Sequence, residues 1–465
     1  MTGWMHRKDI APGEIASHQR LARTLSWWHL VALGVGAIVG TGIYTLIGVG
    51  ANLAGPGVLL SFVAAGVICA CAALAYAEVA AMIPASGSAY TYLYVALGEL
   101  VAWIVGWCLI LEYSLVVSAV AVGWSGYATG FLASLGVELP LALTAGPHAG
   151  GLLNLPAAFI IACVSGLLMA GTRESATVNA VLVVVKILAL VIFLAVALPQ
   201  FDAAHFEPFM PYGFAKNEVD GLERGVMAAA AIIFFAYYGF DAISTASEEA
   251  KRPERDIPIG IIGSMIACTL LYICVAAAAV GAIPFTAFAQ SAEPLAMIMR
   301  ALGHGTMAAI VGAAAVVALP TVVLAFLYGQ SRIFFVMARD GLLPSWFAKV
   351  DARTGTPLRI TAATAIVVAT LAGLIPLDEI AALANAGTLA AFIAVSVCVL
   401  VLRKREPARP RRFRTPLVWI VAPVAILGCL YLMWSMPRQT QMFFLIWTGV
   451  GLAGHVLRRA VAKRA

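Results

Sequence analysis

The sequence predicts an all-α polytopic membrane protein with about twelve transmembrane helices. Of its 465 residues, 62% are apolar and only 11% are charged, and the mean hydropathy is +0.96. This composition is typical of a chain that lies mostly inside a lipid bilayer rather than around an aqueous core. Because backbone groups in lipid must be hydrogen-bonded within the chain, the long apolar runs indicate helices.

The apolar runs define the elements in chain order. Windows of about 20 apolar residues, the length that crosses the hydrocarbon layer, give twelve candidate spans. They cover residues 30–48, 57–82, 100–123, 155–170, 179–198, 225–247, 259–282, 307–335, 360–375, 380–402, 417–434 and 442–457. We expect residues 1–29 to form a cytoplasmic N-terminal segment, 403–416 a basic cytoplasmic loop, and 417–465 the last two spans with the C-terminus.

The Lys and Arg residues orient these spans. If the loops alternate between two sides, the side with both termini collects 24 of the 29 Lys and Arg residues, and Lys186 lies within a span. Basic loops remain cytoplasmic, so both termini are predicted to be cytoplasmic in a plasma (inner) membrane. The net charge of +6 therefore indicates membrane lipids and no nucleic acid as partners. The run 403–414 is expected to be a solvated loop facing lipid headgroups, with a regulatory lipid site as the alternative.

Several classes of function are disfavoured by the motif content. The sequence has no nucleophile–histidine–acid grouping, no phosphate-binding loop and no metal-ligand spacing. We therefore predict that the protein is not an enzyme and uses no cofactor and no metal. It also lacks the repeated filter sequences expected of a channel.

Two spans carry glycines and polar groups at mid-depth. Residues 34–42 in span 1 read GVGAIVGTG, and residues 234–245 in span 6 read FFAYYGFDAIST. Close helix packing through Gly36 and Gly40 is one explanation of the first pattern. A dinucleotide-binding glycine loop is disfavoured because no strand precedes it. We favour discontinuous helices whose free amides and carbonyls surround a polar ligand.

The two breaks lie five spans apart. This offset predicts two inverted five-helix repeats, residues 30–198 and 225–402, with broken helices 1 and 6 lining a midplane site. Amides at a helix N-terminus attract a carboxylate, whereas unwound carbonyls and helix C-termini attract a cation. The zwitterion that matches both is an α-amino acid.

Four segments carry a family resemblance. They are residues 36–44 in span 1, residues 235–245 in span 6, the loop 248–258, and residues 328–344 after span 8. From about Leu25 through span 10 the chain resembles the amino acid–polyamine–organocation superfamily, and most closely a bacterial member of its cationic amino acid transporter branch. The resemblance implies a LeuT-type fold of five plus five helices with two further C-terminal helices.

The resemblance also implies a substrate site at the two breaks. The substrate carboxylate is expected to meet backbone amides around Thr41 and Gly42, with Gly40 in the same site. The substrate ammonium is expected to meet the backbone carbonyls of Ile38, Phe235, Ala236 and Tyr238. Phe235 would then be an aromatic gate, and the alternative is a ring that faces lipid or the core.

Three ionisable residues at membrane depth are candidates for proton coupling. Lys186 matches the span 5 lysine that replaces a sodium ion in sodium-independent members, and the alternative is a permanently paired structural lysine. Glu112 either joins a proton network or faces the substrate side chain, or else bonds a neighbouring helix. Asp241 either holds the unwound span 6 or relays a proton, or else caps the second half of that span. Glu78, near the end of span 2, is expected to be a solvated or capped structural residue.

These features predict a secondary active amino acid transporter. The favoured hypothesis is proton-coupled symport by alternating access, and the alternative is a facilitator or exchanger of cationic amino acids. A non-transporting amino acid sensor is a remote third hypothesis. Cationic and small neutral amino acids remain equally open as substrates, since Glu112 is the one candidate partner for a distal cation. Association with a small membrane subunit or a second copy is also left open.

Overall fold

The computed structural model describes residues 25–83, 88–170, 176–245, 250–349 and 358–462. Most of the predicted N-terminal segment 1–29 therefore lies outside the described residues, as do Glu248 and Glu249 of the span 6–7 motif. Within the described ranges the chain is almost entirely helical, which confirms the all-α class.

Spans 1 to 5 form the first half of the molecule. Span 1 comprises three short helices, spans 2 to 5 are α4, α6, α8 and α9, and the short helices α5 and α7 lie in the connections. The bounds are α1 (Trp27–Ile38), α2 (Thr41–Tyr44), α3 (Leu46–Ala54), α4 (Val58–Met82), α5 (Ser88–Ala96), α6 (Glu99–Ser134), α7 (Leu141–Thr144), α8 (Leu155–Met169) and α9 (Ala176–Ala197).

A short antiparallel hairpin, β1 (Asn217–Val219) and β2 (Leu222–Arg224), connects the two halves. Its two-residue turn is Asp220–Gly221, with φ of 52° and 72°. This turn has the positive φ angles that a type I′ hairpin requires, and Asp-Gly is a preferred sequence for it. The hairpin was not predicted, and the rest of the connection that precedes span 6 consists of short 3-10 turns and irregular backbone.

Spans 6 to 12 form the rest of the molecule. Span 6 is α10 with α11, span 8 is α15 with α16, and α13 and α14 lie in the span 7–8 connection. The bounds are α10 (Val226–Ile233), α11 (Ala242–Thr245), α12 (Pro253–Ala282), α13 (Phe285–Phe288), α14 (Pro294–Ala301), α15 (Gly305–Ala318), α16 (Pro320–Arg339), α17 (Leu358–Leu374), α18 (Leu377–Arg405), α19 (Val418–Ser435) and α20 (Arg438–Ala462).

The described helices account for the predicted number of spans. Nine helical segments of the described chain are long and apolar enough to cross a membrane. Three shorter apolar helices, Trp27–Ile38, Leu155–Met169 and Leu358–Leu374, complete the twelve. Spans 1 and 6 are interrupted at mid-depth, as the glycine patterns predict. The polytopic fold with broken helices 1 and 6 is therefore confirmed.

The helices pack as two groups around the breaks. In the first group, which we call the bundle, α12 packs along α1 and α4, and α10 packs on α3 and α4. In the second group, the scaffold, α6 packs against α8, α16 and α17. Large apolar side chains such as Ile366 and Leu445 are exposed on the outer surface, as lipid contact requires.

The basic loop after span 10 differs from its prediction, because part of it is buried. The carboxylate of Glu78 in α4 is fully buried, and it accepts from Arg403 Nε at 2.7 Å and Arg403 Nη2 at 2.8 Å. The amide of Thr415 donates to the same carboxylate at 2.8 Å, and Arg411, only 2% exposed, lies at 3.3 Å. Glu78 is thus a structural residue that is paired rather than solvated, and it holds the loop against α4. We call this group the Glu78 clamp.

Candidate functional site

The break in span 1 separates α1 from α2. The backbone leaves helical geometry at Val39 (φ −74°, ψ 98°) and Gly40 (φ −148°, ψ −150°), and α2 begins at Thr41. The first amides of a helix have no intrahelical partner. The break therefore presents the amides of Thr41 and Gly42 as donors at mid-depth.

The carbonyls at the C-terminal end of α1 are bound by groups from three elements. Val39 N donates to the Val35 carbonyl at 2.8 Å, and the Tyr272 hydroxyl of α12 donates to the Ile38 carbonyl at 2.8 Å. Lys186 Nζ of α9 donates to the Gly36 carbonyl at 2.9 Å. The end of α1 is thus fixed by side chains that come from distant parts of the sequence.

The break in span 6 is longer. Helix α10 ends at Ile233, a 3-10 turn covers Phe234–Tyr237, Tyr238 is extended, and Gly239 has φ +106°. A Cβ at Gly239 would lie 2.7 Å from the carbonyl carbon of Ala37. Glycine is therefore needed here both for its φ angle and because the two broken spans touch.

A small cavity of about 10 Å³ lies where the two breaks meet. Six of the seven predicted substrate-binding residues line it, namely Ile38, Gly40, Thr41, Gly42, Phe235 and Tyr238. The seventh, Ala236, lies behind the wall, where its Cα would be 2.3 Å from a Cβ added at Gly42. Phe235 is buried, with its ring centroid 5.0 Å from that of Tyr238, so it does not face lipid. Its role as a gate stays a prediction.

The opposite wall of the cavity was not predicted. It consists of Val116 and Val120 of α6 and Val322 and Phe326 of α16. All four side chains are apolar, and no charged side chain is among the described residues that line the cavity. Both helices are apolar throughout this region, so the sequence contains no local signal that marks these valines as wall residues.

Lys186 lies beside the cavity at the junction of bundle and scaffold. It is 1% exposed, and its Nζ donates to the Gly36 carbonyl and to the Thr321 hydroxyl of α16, each at 2.9 Å. The ammonium thus contacts the last turn of α1 and bridges it to span 8. Its role in coupling stays a prediction. The contact of the Thr321 hydroxyl was not predicted, because one threonine in an apolar span is unremarkable.

Asp241 of span 6 and Glu112 of α6 are both buried, and neither is among the residues that line the cavity. The Asp241 carboxylate accepts from the Tyr113 hydroxyl at 3.3 Å, and the backbone amides of Gly239 and Ala242 lie close enough to stabilise it. The Glu112 carboxylate lies against α18 at Thr388, and the two carboxylates interact electrostatically. Their roles in proton coupling stay predictions. Within the described ranges, no group of three or more His, Cys, Asp or Glu side chains is arranged to hold a metal ion.

Comparison with known proteins decides the family. Residues 25–454 match the family described as "Amino acid permease". The chain belongs to the amino acid permease family. It is 46% identical over 464 residues to the branched-chain amino acid permease BcaP of Bacillus subtilis, covering 98% of both chains.

Other relatives of this permease are named for different substrates. It is 44% identical to the methylthioribose transporter of Bacillus subtilis, over 93% of this chain and 92% of the relative. It is 38% identical to the vacuolar cationic amino acid transporter 4 of Arabidopsis thaliana, over 88% of this chain and 68% of the relative. These matches confirm the resemblance to the superfamily and its cationic amino acid transporter branch. The protein is therefore a multi-pass membrane transporter of amino acids and not an enzyme.

Proposed function

We propose that this permease transports branched-chain aliphatic amino acids by proton-coupled symport, through alternating access around the central cavity. The apolar wall of the cavity is the observation that carries the choice of substrate. Its backbone groups suit the carboxylate and ammonium of any α-amino acid, whereas Val116, Val120, Val322 and Phe326 suit an aliphatic side chain. A cationic side chain would lose its hydration against this wall without a compensating charge.

The relatives support the same choice. The branched-chain amino acid permeases of Bacillus subtilis and Lactococcus lactis match 98% and 97% of this chain. The alternative, a facilitator or exchanger of cationic amino acids, rests on the plant relatives of that name. The cavity wall favours the branched-chain substrates over this alternative.

Proton coupling is the second part of the proposal. It is supported by the buried position of Lys186 between the end of α1 and span 8, because loss of its charge would weaken its bond to the Gly36 carbonyl. The loops rich in Lys and Arg lead us to propose also that the face with both termini is cytoplasmic, in the plasma membrane.

A thermal-shift screen of the purified protein tests the substrate class. Ligands that bind only the folded state raise its stability, by about 2.7 kcal/mol at a hundred times the dissociation constant. We expect leucine, isoleucine and valine to raise the melting temperature, and lysine, arginine and methylthioribose not to. A shift with lysine or arginine and none with leucine would favour the cationic alternative. A shift with methylthioribose alone would contradict amino acid transport.

A pair of variants tests whether the rise in melting temperature with leucine depends on the cavity wall. Val322→Phe places a larger side chain in the cavity, since Val322 is buried and lines it. Val317→Phe is the control, because Val317 is 58% exposed on the outer face of α15. We expect Val322→Phe to lose the leucine shift and Val317→Phe to keep it.

A further inference from the structure

Asn385 is a polar residue buried in the first third of α18, the fifth span of the second half. Its side-chain nitrogen donates to the carbonyls of Ala231 at 2.6 Å and Ile232 at 3.0 Å. Its side-chain oxygen accepts from the hydroxyl of Tyr238. The orientation of the amide is fixed by its partners, because two carbonyls can only be met by the nitrogen.

The two carbonyls belong to the last turn of α10, where helix carbonyls lack intrahelical partners. The amide of Phe234 donates to the carbonyls of Ala230 and Ile232. Asn385 supplies the donor to the Ala231 carbonyl and a second donor to the Ile232 carbonyl. At membrane depth an unpaired carbonyl is costly, so this single side chain stabilises the broken end of α10. Through Tyr238 it also holds a ring that lines the cavity.

The same arrangement occurs at the other break. Lys186 in α9, the fifth span of the first half, donates to the Gly36 carbonyl in the last turn of α1. In each half, therefore, the fifth span supplies a donor to the C-terminal turn of that half's own broken helix. The donor is an amine at span 1 and an amide at span 6. Only the amine can lose a proton at ordinary pH.

We propose that Asn385 is a positioning residue of the transport site, which keeps the end of α10 and the Tyr238 ring in the geometry that binds substrate. Asn385 corresponds in position to Lys186, but its amide does not titrate. The span 6 break therefore stays fixed while the span 1 break responds to protons. This inference rests on the proposed passage of an amino acid through the cavity.

The test replaces the side-chain amide of Asn385, which does not titrate, by a carboxyl group, which does. Asn385→Asp keeps the size of the side chain and the acceptor for Tyr238, but an ionised aspartate cannot donate to the α10 carbonyls, whereas a protonated one donates once. Substrate counterflow is measured with labelled leucine in proteoliposomes of the full chain, with the same pH on both sides, from about pH 5 to about pH 8. Wild type is measured at every pH, because Glu112, which lies beside Gly387 of α18, and Lys186 at the other break are also ionisable. The phenol of Tyr238 stays protonated over this range.

We expect Asn385→Asp to raise the leucine concentration for half-maximal counterflow about tenfold near pH 8, and to recover toward the wild-type value near pH 5. Asn154→Asp is the matched control. Asn154 is also buried, but its side-chain oxygen only accepts, from Ser125 and from the Ala157 amide, so an aspartate serves equally well. We expect this control to follow the wild-type pH profile.

A purely structural role for Asn385 would lower the yield of folded protein without creating a new pH profile. If Asn385→Asp folds and follows the wild-type profile and half-saturation, the inference is overturned. If it does not fold, Tyr238→Phe decides, because it removes only the hydroxyl that bonds Asn385. An unchanged half-saturation in Tyr238→Phe then overturns the inference, and a raised one supports it.

Counterflow at equal pH separates this inference from the proposed function. It needs no proton gradient, so loss of proton coupling alone leaves the comparison intact. If wild-type protein exchanges leucine and the variants behave like wild type, only the role of Asn385 is overturned. Wild-type protein that exchanges no amino acid overturns both.

Discussion

At the scale of single residues, the position of Lys186 joins a buried charge to a backbone break. Its ammonium donates to the carbonyl of Gly36 and to the hydroxyl of Thr321, which are neutral acceptors. A hydrogen bond from an ammonium is stronger than one from a neutral amine. Loss of the proton should therefore loosen the end of α1 from span 8, which is the step that coupling requires.

Lys186→Met tests this step because it keeps the length of the side chain and removes the amine. We expect proteoliposomes with the variant to show no accumulation of leucine driven by a pH gradient, whereas wild type accumulates it and acidifies the lumen. Lys216→Met is the control, since Lys216 is bound to Glu223 in the connection before span 6, away from the cavity. Uphill accumulation by Lys186→Met would show that coupling resides elsewhere.

At the scale of elements, the contact between α2 and the 3-10 turn of span 6 shapes the cavity. A Cβ at Gly42 would lie 2.3 Å from the Cα of Ala236, which is closer than such atoms approach in real structures. A side chain at Gly42 would meet the backbone of Ala236, which cannot move without the rest of its segment. Any side chain here must therefore push the two breaks apart. The amides of Thr41 and Gly42 would then lose their position relative to Tyr238.

Gly42→Ala should therefore weaken leucine binding at least about tenfold, equivalent to about 1.4 kcal/mol. The measurement is the midpoint of the leucine-dependent thermal shift. Gly166→Ala is the matched control, because a Cβ at Gly166 in α8 meets no atom within 4 Å. Equal leucine affinity in Gly42→Ala and wild type would contradict the close contact of the two breaks.

The sequence is sufficient to predict the elements whose signal is local. The breaks in spans 1 and 6 follow from glycines at mid-depth, and Lys186 is conspicuous because its charge interrupts an apolar run. The hairpin could also have been predicted, since Asp220–Gly221 is a preferred type I′ turn sequence. The valine wall and the role of Asn385 could not, because they depend on which helices pack together. Hydropathy alone does not specify those neighbours.

At the scale of the whole molecule, the cavity lies between bundle and scaffold, so alternating access requires these groups to move relative to each other. The Glu78 clamp joins α4 of the bundle to the end of α18 and to the loop that leads to α19. A buried carboxylate with an arginine bound through two nitrogens is a rigid connection. The clamp therefore ties α18 and α19 to α4 at the face where α1 begins and α20 ends.

Glu78→Gln tests how strongly the clamp holds the molecule together. The variant leaves Arg411 and part of Arg403 buried without a countercharge, and breaking a buried pair from one side costs about 3–5 kcal/mol. We expect a clear fall in the melting temperature of the purified protein. Glu379→Gln is the control, because Glu379 pairs with His148 on the surface, where such pairs contribute about 0–1 kcal/mol. Equal melting temperatures for the two variants would mean that α18 and α19 are held to the bundle by apolar packing alone.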